Sequence, residues 1–118
     1  MTRDMDLFRA ILLSVEAQPT GKHWAAVPLL DHSHEDVVAH VRLVADAGLV
    51  EARFVSPVNN DVGVVLRITN DGYDFLEASR QPTFWEKAKQ HLKSAGLPLT
   101  VYAIRQVFDL LIKERLAH

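Results

Sequence analysis

Apolar side chains recur along this chain with two different periods, and each change of period marks the end of a predicted element. The first stripe has three- and four-residue spacing and consists of Met5, Phe8, Ile11, Leu12 and Val15. Residues at this spacing share one face of an α-helix, so the pattern predicts a helix over residues 4–17. Pro19 and Gly21 end it.

A second helical stripe follows a start signal at Ser33, whose hydroxyl can accept the amide of Asp36 in an arrangement that resembles a capping box. Its apolar positions are Val37, Val38, Val41, Val44 and Ala45. Gly48 is placed to end this helix in the left-handed conformation that glycine adopts readily. Between the two helices, residues 24–27 predict a short extended segment, which Pro28 keeps from being a central strand.

Two extended segments come next, at residues 49–55 and 64–69, and residues 56–63 between them are rich in turn-forming types. This pattern predicts a β-hairpin with a long tip. Asn70, Asp71 and Gly72 then predict the cap of a short helix that ends near Ser79.

Two helices are predicted to close the chain. The first has Pro82 in its first turn, an apolar stripe and Gly96 at its end. The second begins at Thr100, and its apolar positions are Val101, Ile104, Val107, Phe108, Leu111, Ile112 and Leu116. The predicted class is mostly α with a small β-hairpin (α+β).

The order of these elements resembles a winged helix-turn-helix with two C-terminal helices. Residues 38–50 resemble the end of a recognition helix in bacterial regulators, where a glycine passes the chain directly into the first wing strand. Residues 66–72 resemble the second wing strand and its exit. We therefore predict a winged-helix domain over residues 1–80. Residues 81–118 form a helical extension packed on it, which can serve as a dimerisation element.

Several motifs occur together in one order and sharpen the resemblance. They are residues 3–7, the helix containing His40, residues 47–52, residues 66–72 with Phe75 and Leu76, and the closing helix pair. Together they cover nearly the whole chain and resemble the domain-of-unknown-function family 2513, which is common in bacterial and prophage genomes. The resemblance implies a winged-helix protein, and it assigns no catalytic or binding residue.

The composition limits where such a protein can act. The chain has no cysteine, which excludes disulfides and thiolate chemistry and favours an intracellular location. The longest apolar run near the N-terminus, residues 10–13, is too short for a signal-peptide core, and no stretch is long enough to span a bilayer. We expect a soluble, cytoplasmic protein.

The fold plan makes double-stranded DNA the first candidate partner, and a transcriptional regulator of phage or bacterial origin the first candidate function. A recognition helix and wing contact DNA through side chains that donate to base edges or phosphates. The candidate contacts are His40, Arg42, Arg53, Asn59, Asn60 and Arg67.

Charge counts against this hypothesis. Residues 1–50 carry four basic and seven acidic side chains, residues 51–80 three and five, and residues 81–118 six and three. The predicted winged part is therefore acidic, whereas neutralising phosphate supplies most non-specific affinity for DNA. The alternative is a protein–protein interaction module that does not bind DNA.

The last helix carries an apolar stripe wide enough for an internal core and for a partner. It either packs only within its own chain or pairs with a second copy across a two-fold axis. We predict a homodimer, and the interface candidates are Ile104, Val107, Phe108, Leu111 and Ile112.

An enzyme is not predicted. The five glycines are scattered and form no phosphate loop or dinucleotide fingerprint, and the chain contains neither a Gly-x-Ser-x-Gly elbow nor a cysteine nucleophile. His32 and His34 lie close together, but no third metal ligand is fixed by spacing. We predict no catalytic residue, no cofactor and no metal.

Overall fold

The computed structural model of the chain describes residues 2–18, 24–25, 32–55 and 62–117. Within them the chain forms five helices and three short strands, so the predicted α+β class with a small hairpin is confirmed. The elements are α1 (Met5–Glu16), β1 (Trp24–Ala25), α2 (His34–Asp46), β2 (Val50–Val55), β3 (Val62–Ile68), α3 (Asn70–Ser79), α4 (Pro82–Ser94) and α5 (Val101–Leu116). This order is consistent with the predicted winged helix.

The chain divides into two compact units, Met1–Leu76 and Glu77–His118. The first contains α1, α2 and the sheet, and the second contains α4 and α5. The division falls inside α3, four residues before the boundary expected from the sequence. Phe75 and Leu76, in the middle of α3, are fully buried.

The three strands form one antiparallel sheet in the order β1-β3-β2. The hairpin pairs Val50 with Ile68 at its base and Val55 with Val62 at its far end. Val62 and Gly63 therefore belong to β3, although the sequence placed them in the turn. Residues 24–25 form β1 and pair with β3, and the rest of the extended segment predicted there lies outside the described residues.

The hairpin contains a β-bulge close to its base. Glu51 pairs with Arg67 whereas Ala52 pairs with Val65, so Leu66 is an extra residue in β3. A bulge bends its strand and increases the local twist. It also leaves the side chains of Leu66 and Arg67, although adjacent in sequence, both exposed.

The core of the first unit lies between α1, α2 and the sheet. Asp4 caps α1, because its carboxylate accepts hydrogen bonds from the amides of Asp6 at 3.0 Å and Leu7 at 3.4 Å. The buried apolar side chains are Met5, Leu7, Phe8, Ile11 and Leu12 from α1, Val37, Val38, Val41 and Val44 from α2, and Val50, Val65 and Ile68 from the sheet. Both predicted helical stripes thus face this core.

Helix α2 passes into β2 through a tight backbone turn. Gly48 has a φ of +79°, the left-handed conformation predicted for it, and the amide of Leu49 donates to the carbonyl oxygen of Val44 at 3.1 Å. Leu49 is fully buried below this turn. The amide of Thr69 donates to the carbonyl oxygen of Leu49 at 3.0 Å, so the end of β3 is tied to the same turn.

Thr69 also caps α3. Its hydroxyl accepts a hydrogen bond from the amide of Gly72 at 3.0 Å and donates one to the carbonyl oxygen of Gly48 at 2.6 Å. The prediction that Asn70, Asp71 and Gly72 supply the cap is therefore wrong, because these residues form the first turn of the helix itself.

Gly72 lies against the α2–β2 turn and has no room for a side chain. A Cβ atom at this position would collide with the carbonyl oxygen of Leu49 and lie 2.7 Å from the Ile68 side chain. At Gly48, by contrast, a Cβ would meet nothing within 4 Å. The two glycines are therefore required for different reasons, Gly72 for space and Gly48 for its backbone conformation.

The second unit is a pair of helices with an aromatic contact between them. The rings of Phe84 and Phe108 stack at a centroid distance of 5.4 Å, and Trp85 lies at 6.3 Å from Phe108 with its ring tilted by 47°. Gly96, with a φ of +70°, ends α4 as predicted. The buried apolar side chains are Trp85, Ala88, Leu92, Ile104, Val107 and Phe108.

We predict that Gly72→Ala lowers the free energy of unfolding by about 2–3 kcal/mol, because the added methyl group overpacks the turn against main-chain atoms that cannot rotate away. Gly48→Ala is the matched control and should cost only about 1 kcal/mol, since it introduces left-handed strain in open space. Urea unfolding followed by circular dichroism measures both. Equal losses for the two variants would contradict the steric role of Gly72.

Candidate nucleic-acid interface

Helix α2, the predicted recognition helix, directly precedes the hairpin in the chain. It begins at Ser33, whose hydroxyl accepts the amide of Asp36 at 3.1 Å, as the sequence predicted. Its valine stripe faces the core, and its exposed outer face carries His34, Glu35, Arg42 and Asp46. This face therefore offers one arginine next to two carboxylates.

His40, a predicted DNA contact, lies inside the protein. It is only 2% exposed. Its Nε2 accepts a hydrogen bond from the amide of Asp4 at 2.9 Å, and its Nδ1 lies 2.8 Å from the carbonyl oxygen of Asp36, to which it donates. These bonds require a neutral ring with its proton on Nδ1. Because both nitrogens are used and buried, His40 joins α2 to the start of α1 and presents no atom to a base edge.

Arg42 lies where α2 meets the hairpin. Its guanidinium carbon is 4.1 Å from the centroid of the Phe54 ring on β2. Phe54 is half-buried and Arg42 is exposed, so the ring supports the cation from one side and leaves its other side open to solvent. A cation–π contact of this kind at a surface restricts the guanidinium and contributes about 0.5–1 kcal/mol.

Arg67 projects from β3 and forms an ion pair with Glu51 across the hairpin. The guanidinium Nη2 is 2.7 Å from a carboxylate oxygen of Glu51, and both side chains are exposed. The hydrogen bond and the charge of Arg67 lower the pKa of Glu51, and those of Glu51 raise the pKa of Arg67. The pair is therefore charged at neutral pH and is lost as the pH falls through the lowered pKa of Glu51.

The remaining candidate contacts belong to the hairpin. Arg53 is exposed on β2, two residues after Glu51 and therefore on the same side of the strand. Asn59 and Asn60, predicted at the hairpin tip, lie outside the described residues. The structure thus leaves Arg42, Arg53 and Arg67 as exposed cations of the candidate surface, with Arg67 already neutralised by Glu51.

The first unit remains acidic when its boundary is taken from the structure. Residues 1–76 contain six basic and eleven acidic side chains, a net charge of −5, and residues 77–118 contain seven and four, a net charge of +3. A negative field repels phosphate over a distance of about 8 Å at physiological salt. Any DNA contact by this unit must therefore depend on local cations.

Two other kinds of site are absent from the described part of the chain. None of its His, Asp and Glu side chains come together in a group of three that could hold a metal ion. No helix within it is both long and apolar enough to cross a membrane.

The predicted interface residues of the last helix lie in two different environments. Ile104, Val107 and Phe108 are buried. Leu111 is half-buried, and Ile112 is 43% exposed. The first three are therefore core residues, and only the last two reach the surface of α5.

Three exposed apolar residues of α5 were missed as surface candidates. They are Tyr102, Leu110 and Leu116. Placing the sequence on a helix at 100° per residue would have shown that Leu110 and Ile112 lie on opposite sides of the buried stripe and that Tyr102 and Leu116 face away from it.

Comparisons with known proteins agree with the motifs of the sequence. The family model described as "Hypothetical protein (DUF2513)" matches residues 2–98. An "Uncharacterized protein" of Haemophilus influenzae is 34% identical over 119 residues, covering 99% of this chain and 100% of the relative. No solved structure matches the chain significantly.

We predict that His40→Ala lowers the free energy of unfolding by about 2–4 kcal/mol, because the half-buried amide of Asp4 loses its acceptor and a cavity forms beside Phe8, whose ring lies 6.0 Å from that of His40. Arg42→Ala, on the exposed face of the same helix, should cost about 0.5 kcal/mol or less and is the control. Urea unfolding of the two variants measures the difference. A His40→Ala variant as stable as Arg42→Ala would show that the buried bonds contribute little.

Proposed function

The chain belongs to the DUF2513 family, and from its geometry we propose that it is a DNA-associated regulator that contacts double-stranded DNA with α2 and the β2–β3 hairpin. The observation that carries the proposal is the position of Arg42, an exposed cation supported by Phe54 at the junction of these elements. In a winged helix the helix enters the major groove while the wing lies beside it, so this junction faces the duplex.

Arginine is suited to this contact because its planar guanidinium donates two parallel hydrogen bonds, either to a guanine edge or to a phosphate. The Phe54 ring limits the orientations of that group before DNA arrives, which lowers the entropy lost on binding. In this proposal Arg53, which lies on the other side of β2 from Phe54, adds a contact from the hairpin, and the candidate amides Asn59 and Asn60 are further contacts. Arg67 joins it when Glu51 releases its guanidinium.

The proposed regulator is a cytoplasmic homodimer without catalytic activity. Two copies related by a two-fold axis present two helices to half-sites one helical turn apart, and this doubles the small number of cations that each copy provides. Duplex DNA as ligand implies the cytoplasm of a bacterial cell. The proposed contacts with DNA require no cofactor, and they are made by Arg42, Arg53 and Arg67.

A second candidate function, binding a protein partner without DNA, is favoured by the charge distribution. The first unit carries a net charge of −5, and Glu35 and Asp46 share the outer face of α2 with Arg42. Such a surface suits a basic partner protein, since complementary charge directs association and excludes like-charged surfaces.

Fluorescence anisotropy of the full chain with random-sequence duplex DNA, at low and at physiological salt, tests the proposal. We expect binding at low salt that weakens steeply as salt rises, because cations released from phosphate drive association. Absence of binding even at low salt would overturn the DNA proposal. Affinity capture of a basic protein would then support the second candidate.

Two variants at the proposed surface should move the affinity in opposite directions. Arg42→Ala should weaken DNA binding about tenfold, equivalent to about 1.4 kcal/mol, and leave folding intact. Glu51→Gln should strengthen binding, because it frees Arg67 for phosphate, and should steepen the salt dependence by about one counterion.

Glu114→Gln is the control, since it removes the same charge from an exposed position on α5. Equal affinities for Glu51→Gln and Glu114→Gln would mean that only net charge matters. Unchanged binding by Arg42→Ala would remove α2 from the interface.

A further inference from the structure

The outer face of α5 carries large apolar side chains that the protein leaves in solvent. Tyr102 is 74% exposed and Leu116 is 81% exposed, and Leu110 and Ile112 are 42% and 43% exposed. At 100° per residue, Leu110 and Ile112 lie on the two flanks of this face, while Tyr102 and Leu116 lie near its middle, at opposite ends of the helix. The outer side of α5 therefore carries apolar groups near its two ends and on both flanks near residue 111.

Two opposite charges occupy the centre of the same face. Asp109 and Lys113 are both exposed, and they are four residues apart on one line along the helix. They lie two residues before and two residues after Leu111. A second copy of α5 running in the opposite direction would therefore bring its lysine against the aspartate of the first, and its aspartate against the lysine.

We propose that α5 pairs antiparallel with α5 of a second copy, about a two-fold axis level with Leu111. Asp109 and Lys113 of each copy form two ion pairs across the axis. Leu110 contacts Leu110 of the second copy on one flank, and Ile112 contacts Ile112 of the second copy on the other. This inference rests on the homodimer of the proposed function and is independent of DNA binding.

Charge complementarity identifies the occupant of this face as a second copy in the antiparallel direction. A parallel pair would place Asp109 against Asp109 and Lys113 against Lys113, and like charges at close distance are destabilising. In the antiparallel pair every central charge meets its opposite. The flanking leucine and isoleucine pairs remove apolar surface from water and reduce the screening of the ion pairs by salt.

The spacing along the helix also fits. In the antiparallel pair, the Leu110 residues of the two copies lie about 3 Å apart when measured along the helix axis, at a rise of about 1.5 Å per residue. The same distance separates the two Ile112 residues. Equivalent Tyr102 residues lie about 27 Å apart along the same axis. The two arrangements are therefore distinguishable, because only a parallel pair brings the Tyr102 positions together.

Charge reversal tests the ion pairs. Asp109→Lys and Lys113→Glu should each weaken dimerisation at least tenfold in sedimentation equilibrium, and the double variant should restore it, because the two charges exchange positions. Glu114→Lys and Lys87→Glu are the controls, since they change charge equally at exposed positions outside this face. Circular dichroism confirms that each variant is folded.

Cysteine cross-linking tests the direction of the pair in a chain that has no cysteine of its own. A short bis-maleimide reagent should cross-link Leu110→Cys and Ile112→Cys to dimers, because their positions lie on the flanks of the pair, and Tyr102→Cys should remain monomeric. Cross-linking of Tyr102→Cys alone would overturn the antiparallel arrangement.

The outcomes separate this inference from the proposed function. A dimer whose affinity none of the α5 charge reversals changes would overturn the α5 pairing and leave a homodimer with another interface. A chain that stays monomeric up to millimolar concentration would overturn both the pairing and the homodimer. DNA binding, measured separately, bears on neither result.

Discussion

The rest of the first unit depends on the two hydrogen bonds that the hydroxyl group of Thr69 forms. It donates to the backbone of Gly48, where α2 ends, and accepts from the backbone of Gly72, where α3 begins. A third bond, from the Thr69 amide to the Leu49 carbonyl, closes the arrangement. One residue at the end of β3 thus fixes a helix, a strand and a second helix to each other through main-chain atoms. Because these atoms leave no space, Gly72 cannot be replaced by a larger residue without moving one of the three elements.

His40 provides a second contact that orients α2, on the side of the helix that faces α1. His40 binds the amide of Asp4 at the start of α1 and the carbonyl of Asp36 within its own helix. The surface of α2 that is proposed to contact DNA is therefore held by a core that is partly polar, and it carries few cations. The acidic charge of the unit and the Glu51–Arg67 pair both oppose phosphate binding. The homodimer of the proposed function would compensate for this weakness by providing two copies of the surface.

Much of the fold could be predicted because its signals are local. The Ser33 cap, the glycine at position 48 and the valine stripe of α2 each specify their own structure within a few residues. The features that could not be predicted depend on contacts between residues that are far apart in the sequence. The extended segment that contains β1 was predicted, but its pairing with β3, much later in the chain, was not. The bulge at Leu66 likewise depends on the register with β2. His40 is the instructive case: it lies three residues after Val37 on the buried side of the helix, but its polarity suggested a surface position. Its partner, a backbone amide at residue 4, has no signature in the sequence.

The turn at Gly48 has a consequence for how proteins with this architecture can diverge. The angle at which α2 leaves the body of the protein is set by backbone atoms of Gly48, Leu49 and Thr69, and by buried side chains on its inner face. Among the outward-facing residues of α2, Arg42 adds a surface contact with Phe54 of β2, which is weak beside these buried contacts. Most outward-facing side chains of α2 can therefore be exchanged with little effect on the orientation of the helix, and in the proposed function such exchanges would change the molecule that is recognised. The fold therefore sets the orientation of α2 largely independently of the side chains that the helix presents to solvent.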